Sequence, residues 1–458
     1  MEKGLAAWDR EISRRSLLKG LGAGAAVVAG GGVLGACAGG LKGASSPTSA
    51  GAGAGAGGSG ATRNIVIGYV SPKTGGLAGF ATPDNFVLST IRKSSQYAKG
   101  FKVGGKHYNV TITEADSQSS PHRASEVARQ LILKNKVDMI VTSSAPETTN
   151  PVADVCETEG VPCVATVVPW ESWYFGRGAK KGTTFTYTTM FFFGLPEFGK
   201  CFVPMWNRVS TDKVVAGMFP NDADGNAERQ GWPPICKAAG YTLIDGGAYQ
   251  DGTTDYSSMI SKFKSNKCDV FVNAPLPPDF NTFWKQAAQQ GYKPKLATVT
   301  KVLLFPTGAY ALGSLVNNIA TDAWWTPYAP YKSSLTGQTC SQLAEAYQKA
   351  SGQQWTQALG STYSLFEVAY NALTKASDPH DRKEVAAQLR SMHYEGMSGP
   401  LDFTKGPVPG VAIQEPVGVQ WKKGKPGKFT NFPWTMYVVD HTANPAVPLN
   451  GTLEPTNA

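Results

Sequence analysis

Very little in this sequence equips it for covalent catalysis. Its 458 residues hold five histidines: His107, His122, His380, His393 and His441. His107 follows a Gly-Gly turn, and His122 and His380 each follow a proline at the start of a helical stretch, positions that favour the surface over a buried site. No serine stands in a Gly-x-Ser-x-Gly elbow, and no nucleophile, base and orienting acid can be assembled, which argues against an exported hydrolase. Paired Cys-x-x-Cys sites are absent and no histidine lies near the cysteines, which argues against zinc; no cofactor is called for. Charged residues are 17% of the chain, and the body has no run of five or six like charges. Much of the basic excess behind the formal +9 lies in the first 42 residues, so the body carries no nucleic-acid footprint. Nor does any later stretch offer the ~20 apolar residues of a membrane-spanning helix.

What is present at the start reads as an export signal over residues 1–36. Ser13-Arg14-Arg15-Ser16-Leu17-Leu18-Lys19 is a twin-arginine pattern, followed by the mildly apolar Leu21–Ala36. Leu34-Gly35-Ala36-Cys37 is similar to a bacterial lipobox, which implies cleavage before Cys37, lipidation of its thiol, and a membrane association through that anchor only. Residues 37–62 are a flexible Gly/Ala/Ser linker that cannot form a core; a chain of ~25 such residues reaches about 25–30 Å.

The body, residues 63–458, is long enough for two domains. Its organising stretch is Val137–Phe175. The apolar run Val137–Thr142 predicts a buried strand, and Ser143-Ser144-Ala145-Pro146-Glu147-Thr148-Thr149-Asn150 a polar loop rich in helix-capping residues. A helix with Pro151 in its first turn ends at Gly160; a second strand, Val161–Val168, runs into Pro169-Trp170-Glu171-Ser172-Trp173. In an open parallel sheet such loops face the ligand crevice. The first offers hydroxyls and free helix N–H groups to an anion, the second indole walls.

The same rhythm runs along the body. Asn64–Val70 predicts a strand leading into Ser71–Phe80, a loop with glycines, Leu77 and one aromatic, Phe80; it is not a P-loop, because Gly-Lys-Ser/Thr is missing. Tyr108–Glu114 alternates as a strand, and Ala124, Val127, Ala128, Leu131 and Ile132 form one helical face. After Phe185–Met190 the rhythm restarts with Lys213–Phe219, and later strands are expected at Tyr241–Ile244, Asp269–Asn273, Lys295–Val299 and Ile319–Trp325. The loops that follow supply Asp222, Pro275, Thr300 and Lys301. Asp222-Ala223-Asp224-Gly225-Asn226 lacks the twelfth-position Glu of an EF-hand and reads as an Asx turn and N-cap. This alternation predicts an α/β fold with parallel sheets covered by helices.

Six cysteines remain in the body: Cys156, Cys163, Cys201, Cys236, Cys268 and Cys340. An even count in an exported chain favours disulfides, and six allow fifteen pairings. Cys156 and Cys163 flank a tight Glu-Gly turn, so a bridge between them is expected; the small loop would contribute roughly 2–3 kcal/mol.

IVIGYVSPKTGGLAG, DSQSSPHRASEVARQLI, SSAPETTNPVADVCETEGVP, VVPWESWYFGR and FPNDADGNA together resemble the bacterial type I solute-binding proteins of ABC importers, in the branched-chain amino acid (Leu/Ile/Val) class. The likeness runs from about Asn64 to Val438. It implies two doubly wound parallel-sheet lobes joined by three crossovers: residues 63–187 and 324–410 in lobe 1, 188–323 and 411–458 in lobe 2. It also implies a small-molecule ligand, an organic acid or an amino-acid-like solute, caught by hinge closure, an ABC permease as partner, and no enzymatic activity. A non-transport sensor signalling to a membrane partner shares the fold. The resemblance points to Ser143, Ser144, Ala145 and Val168–Trp170 for a ligand carboxylate. The family places an acidic residue for an amino group where this chain has Thr300-Lys301. A cation there would repel an ammonium, so with Phe80, Trp170, Trp173 and Phe192 as walls an organic or aromatic acid is expected.

Overall fold

The computed structural model describes residues 63–456. Two sheets organise them. The first is entirely parallel, in the order Val411–Ala412, Thr188–Phe191, Cys163–Thr166, Met139–Ser143, Ile65–Ser71, Val110–Asp116. The second runs Trp434–Asp440, Val417–Lys423, Ala320–Ala323, Leu296–Val299, Val270–Asn273, Val214–Met218, Thr242–Asp245; Val417–Lys423 pairs antiparallel with both its neighbours and the other pairs are parallel. Each sheet reverses strand order beside its first strand, which opens a crevice at the carboxyl ends there. The two doubly wound lobes of the expected α/β architecture are therefore present.

Local chemistry sets the elements. Ser120 caps Pro121–Leu133 by accepting from the Arg123 N–H at 3.3 Å, and the helix buries Ala124, Val127, Ala128, Leu131 and Ile132 as its spacing predicts. Asp222 caps Ala223–Ala238 through Gly225 N–H at 2.6 Å, which bears out the Asx-turn reading. The helix after Met139–Ser143 starts earlier than expected, at Pro146, and carries Pro151 inside it. Pro146 has the fixed φ that suits a first helical position, so the chain coils at once and Glu147 falls in the first turn. Gly160 closes this helix at φ 65°. The helix Leu195–Asn207 was not legible, because Pro196 and Pro204 punctuate it.

The six described cysteines are all free thiols and all buried, so the expected Cys156–Cys163 bridge is corrected: it is not formed. The two thiols are neighbours in the apolar core beneath the first sheet. Burial, then the adjacent Cys163, push the Cys156 thiol well above its ordinary range. The twin-arginine, lipobox and linker readings fall on residues 1–62, outside the described residues.

The chain crosses between sheets three times, and the crossings are stitched together. Thr188–Phe191 pairs with Cys163–Thr166, so the first crossing follows Phe191 rather than residue 187. Val411–Ala412 likewise belongs to the first sheet, and the last crossing follows it rather than residue 410. Phe192 of the first crossing meets Trp324 of the second edge to face at 5.3 Å. Gln414 of the third donates to the Trp324 carbonyl at 2.7 Å. Next to them Glu171 accepts from the Leu195 N–H at 3.0 Å, and Glu197 from the Gly194 N–H at 3.0 Å. A Cβ on Gly194 would be driven into the Glu171 carboxylate and the Trp170 indole. Gly194→Ala is therefore expected to lower unfolding free energy by about 1–3 kcal/mol in urea titration; a neutral change would mean the crossing has slack.

Candidate functional site

The loops at the carboxyl ends of the two sheets meet in a narrow cavity of about 30 Å³. From the first lobe it is lined by Phe80, Ala145, Pro146, Val167 and Pro169; from the second by Phe198, Asp224, Glu228, Thr300, Lys301, Leu304 and Asp322; Phe192 and Trp324 stand at the crossings. Phe80 packs edge-on against Phe305 of the other lobe at 4.8 Å, and the bare Gly79 makes room for that ring.

Two non-glycine residues in these facing loops take left-handed backbone: Val167 at φ 65° and Lys301 at φ 59°. Each such conformation costs of order 1–3 kcal/mol and persists only where its surroundings hold it. Thr300 does the holding for Lys301. Its N–H donates to Asn273 Oδ1 at 2.9 Å, and its hydroxyl lies within hydrogen-bond distance of the Asn273 carbonyl (2.5 Å) and Glu228 Oε1 (3.0 Å).

The Lys301 ammonium is buried among carboxylates. It lies 2.8 Å from Glu147 Oε1, 2.8 Å from Asp224 Oδ2 and 3.7 Å from Asp222 Oδ2. Burial alone would lower its pKa, but Asp224, Glu147 and Asp222 outweigh that and raise it well above the ordinary lysine range. Burial raises the Asp224 carboxyl to about 6 against the pull of Lys301. Burial also pushes up Asp222, Glu228 and, to about 8, Glu171. Lys301 is thus neutralised within the protein. It is not the bare cation expected for holding an anionic ligand.

Several buried polar atoms in the loops of both lobes have no hydrogen-bond partner in the protein. In the first lobe they are the hydroxyls of Ser143, Ser144 and Thr148, Glu147 Oε2 and the Trp170 indole N–H. In the second lobe they are Asp224 Oδ1 and Asn273 Nδ2, and at a crossing the Trp324 N–H.

Of the residues singled out from sequence, Phe80, Ala145, Phe192, Thr300 and Lys301 line the cavity. Asp222 borders it through Lys301. Ser143 and Ser144 are buried beside Ala145. Val168 and Trp170 are buried, with the Trp170 ring turned to Phe175 (5.8 Å) and the Gly194 crossing. Leu77 is buried and donates its N–H to Ser119 Oγ at 3.0 Å, and Pro275 is buried; neither lines the cavity. Trp173 stacks under the Arg177 guanidinium at 4.6 Å, away from it. Glu147, Asp224, Glu228, Asp322 and Trp324 were missed. Glu147 and Asp224 each stand in the first turn of a helix, where an acid is ordinarily explained by the helix dipole alone. Among the described residues no cluster of His, Cys, Asp and Glu could hold a metal ion.

Two doubly wound lobes thus meet at a cleft lined by polar groups from both. The periplasmic binding protein family model matches residues 64–426, and the chain belongs to that family. A Leu/Ile/Val-binding protein homolog 7 of Brucella abortus is 29% identical over 156 residues, 34% of this chain; the match spans only 38% of that relative's length. The fold is similar to that of a leucine binding protein LivK from Thermotoga maritima (TM-score 0.66, 18% identity, 78% of this chain and 95% of that one). It is also similar to the branched-chain amino acid binding protein LivJ of Streptococcus pneumoniae, solved with isoleucine (0.62, 17%, 78% and 96%). A third neighbour is an ABC-transporter solute binding protein of Rhodopseudomonas palustris BisB5, solved with 3,4-dihydroxy benzoic acid (0.60, 18%, 79% and 93%). No described helix is long and apolar enough to cross a membrane.

Proposed function

We propose that this protein is the extracytoplasmic solute-binding subunit of an ABC importer, tethered through a lipidated Cys37, that delivers a small amino-acid-like solute to a permease. One observation carries the reading: the loops that border one cleft from both lobes hold buried polar atoms without hydrogen-bond partners. Each costs about 1–3 kcal/mol when left unmet, which a ligand bridging both lobes would offset. The hydroxyls of Ser143, Ser144 and Thr148, beside the N-terminus of the helix Pro146–Glu159, suit a carboxylate. The spare oxygens of Glu147 and Asp224 suit an amine. With Lys301 neutralised, a solute bearing both groups fits better than an acid alone.

A thermal-shift screen against amino acids, aromatic and aliphatic acids, amides and sugars tests this. A ligand at a hundred times its Kd adds about 2.7 kcal/mol of stability. Amino acids should stabilise, and Asp224→Asn should weaken that binding by about tenfold, a loss of ~1.4 kcal/mol. Stabilisation only by acids lacking an amine would overturn the assignment of the acidic cluster.

A further inference from the structure

We propose that Lys301 is a built-in latch that closes the two lobes on each other without any solute. The residue belongs to the loop after Leu296–Val299 in the second sheet, yet its ammonium lies 2.8 Å from Glu147 Oε1, on the helix that follows Met139–Ser143 in the first. Asp224 at 2.8 Å and Asp222 at 3.7 Å hold it from its own lobe. The side chain is buried on all sides, so the ion pair is weakly screened by salt. Its backbone is held left-handed by Thr300, which is itself fastened to Asn273 and Glu228. From there the ammonium reaches Glu147 across the cleft while keeping Asp224 and Asp222 on its own side. The Phe80–Phe305 contact adds an apolar link at the rim. A protein so built rests closed, and an incoming solute meets a cleft that must first release Glu147 from Lys301. The latch sets how much of the free protein is open to solute.

The test reads ligand-free, full-chain protein by single-molecule energy transfer between dyes at Leu133 and Lys293, exposed positions on opposite lobes. Lys301→Met and Glu147→Met should each raise the open-to-closed ratio about tenfold or more, the worth of one charge-assisted contact. The double variant should open no further than either single one. Asp224→Asn, which alters a partner inside the second lobe and leaves the interlobe pair, should stay within twofold of the parent. If Lys301→Met fails to fold, Glu147→Met gives the same reading from the opposite lobe. An unchanged ratio in both variants overturns the latch, and so does Asp224→Asn opening as far as Lys301→Met. No solute enters the measurement, so a failed ligand screen would count against the proposed function and leave the latch standing.

Discussion

Trp232→Ala is expected to lower the unfolding free energy by about 3–5 kcal/mol. The indole is fully buried on the helix Ala223–Ala238. It stacks on Phe202 with centroids 6.1 Å apart and planes 4° from parallel, and lies 5.6 Å from Trp206. Truncation opens a large cavity among rings that cannot collapse to fill it. It also removes the indole N–H that donates to Glu228 Oε2 at 2.9 Å. Burial raises the Glu228 carboxyl, while Trp232 and Thr300 hold it down; without the indole the acid keeps only Thr300 as a side-chain donor. Trp232→Phe separates the two effects. It keeps much of the ring packing and loses the hydrogen bond, so its cost should be about 1.5–3 kcal/mol. Urea unfolding of the three proteins reads both numbers; a loss under ~1 kcal/mol for alanine would place the indole outside the cooperative core.

The second large effect is one of pH. Asp322 is buried on Ala320–Ala323 at the cavity wall, and burial raises its carboxyl to about 7, opposed by its own backbone N–H and by Thr321. An unfolded aspartate titrates near ~3.9. The folded state therefore holds its proton longer than the unfolded state. The resulting contribution to stability is fully present below about pH 4 and is lost as pH rises to about 7, with no further change above. Three pH units at ~1.36 kcal/mol each set an upper limit of about 4 kcal/mol. Asp84 at about 7 and Glu171 at about 8 slope the same way, so the informative quantity is the difference between parent and Asp322→Asn. The variant should gain on the parent between pH 4 and 7 and hold that gain to pH 8. Parallel curves would mean that Asp322 is ionised throughout.

Strand positions and the α/β rhythm were legible because buried parallel strands are short apolar runs between turn residues. Leu296–Val299 and Val270–Asn273 fall within a residue of their expected starts. A cap was legible where a side chain makes the bond, as at Asp222. The acidic cluster was not, because it joins residues about 150 positions apart whose local roles already looked complete. Lys301 lines the cleft, but its partners decide its charge balance, and one of them, Glu147, comes from the other lobe. The spacing of Cys156 and Cys163 fixed their proximity and said nothing of oxidation state.

The three crossings also govern the order in which the chain can fold as it is made. Five strands of the first sheet are complete by Phe191, but the helix Ala358–Lys375, whose Phe366 meets Tyr69 at 5.6 Å and whose backbone takes the Tyr97 hydroxyl, is synthesised much later. The edge strand Val411–Ala412 comes later still. Throughout translation of the second lobe the first sheet keeps one apolar face uncovered. Neither lobe is a contiguous segment that can be excised, and the nascent chain depends on protection from aggregation until its last quarter has emerged.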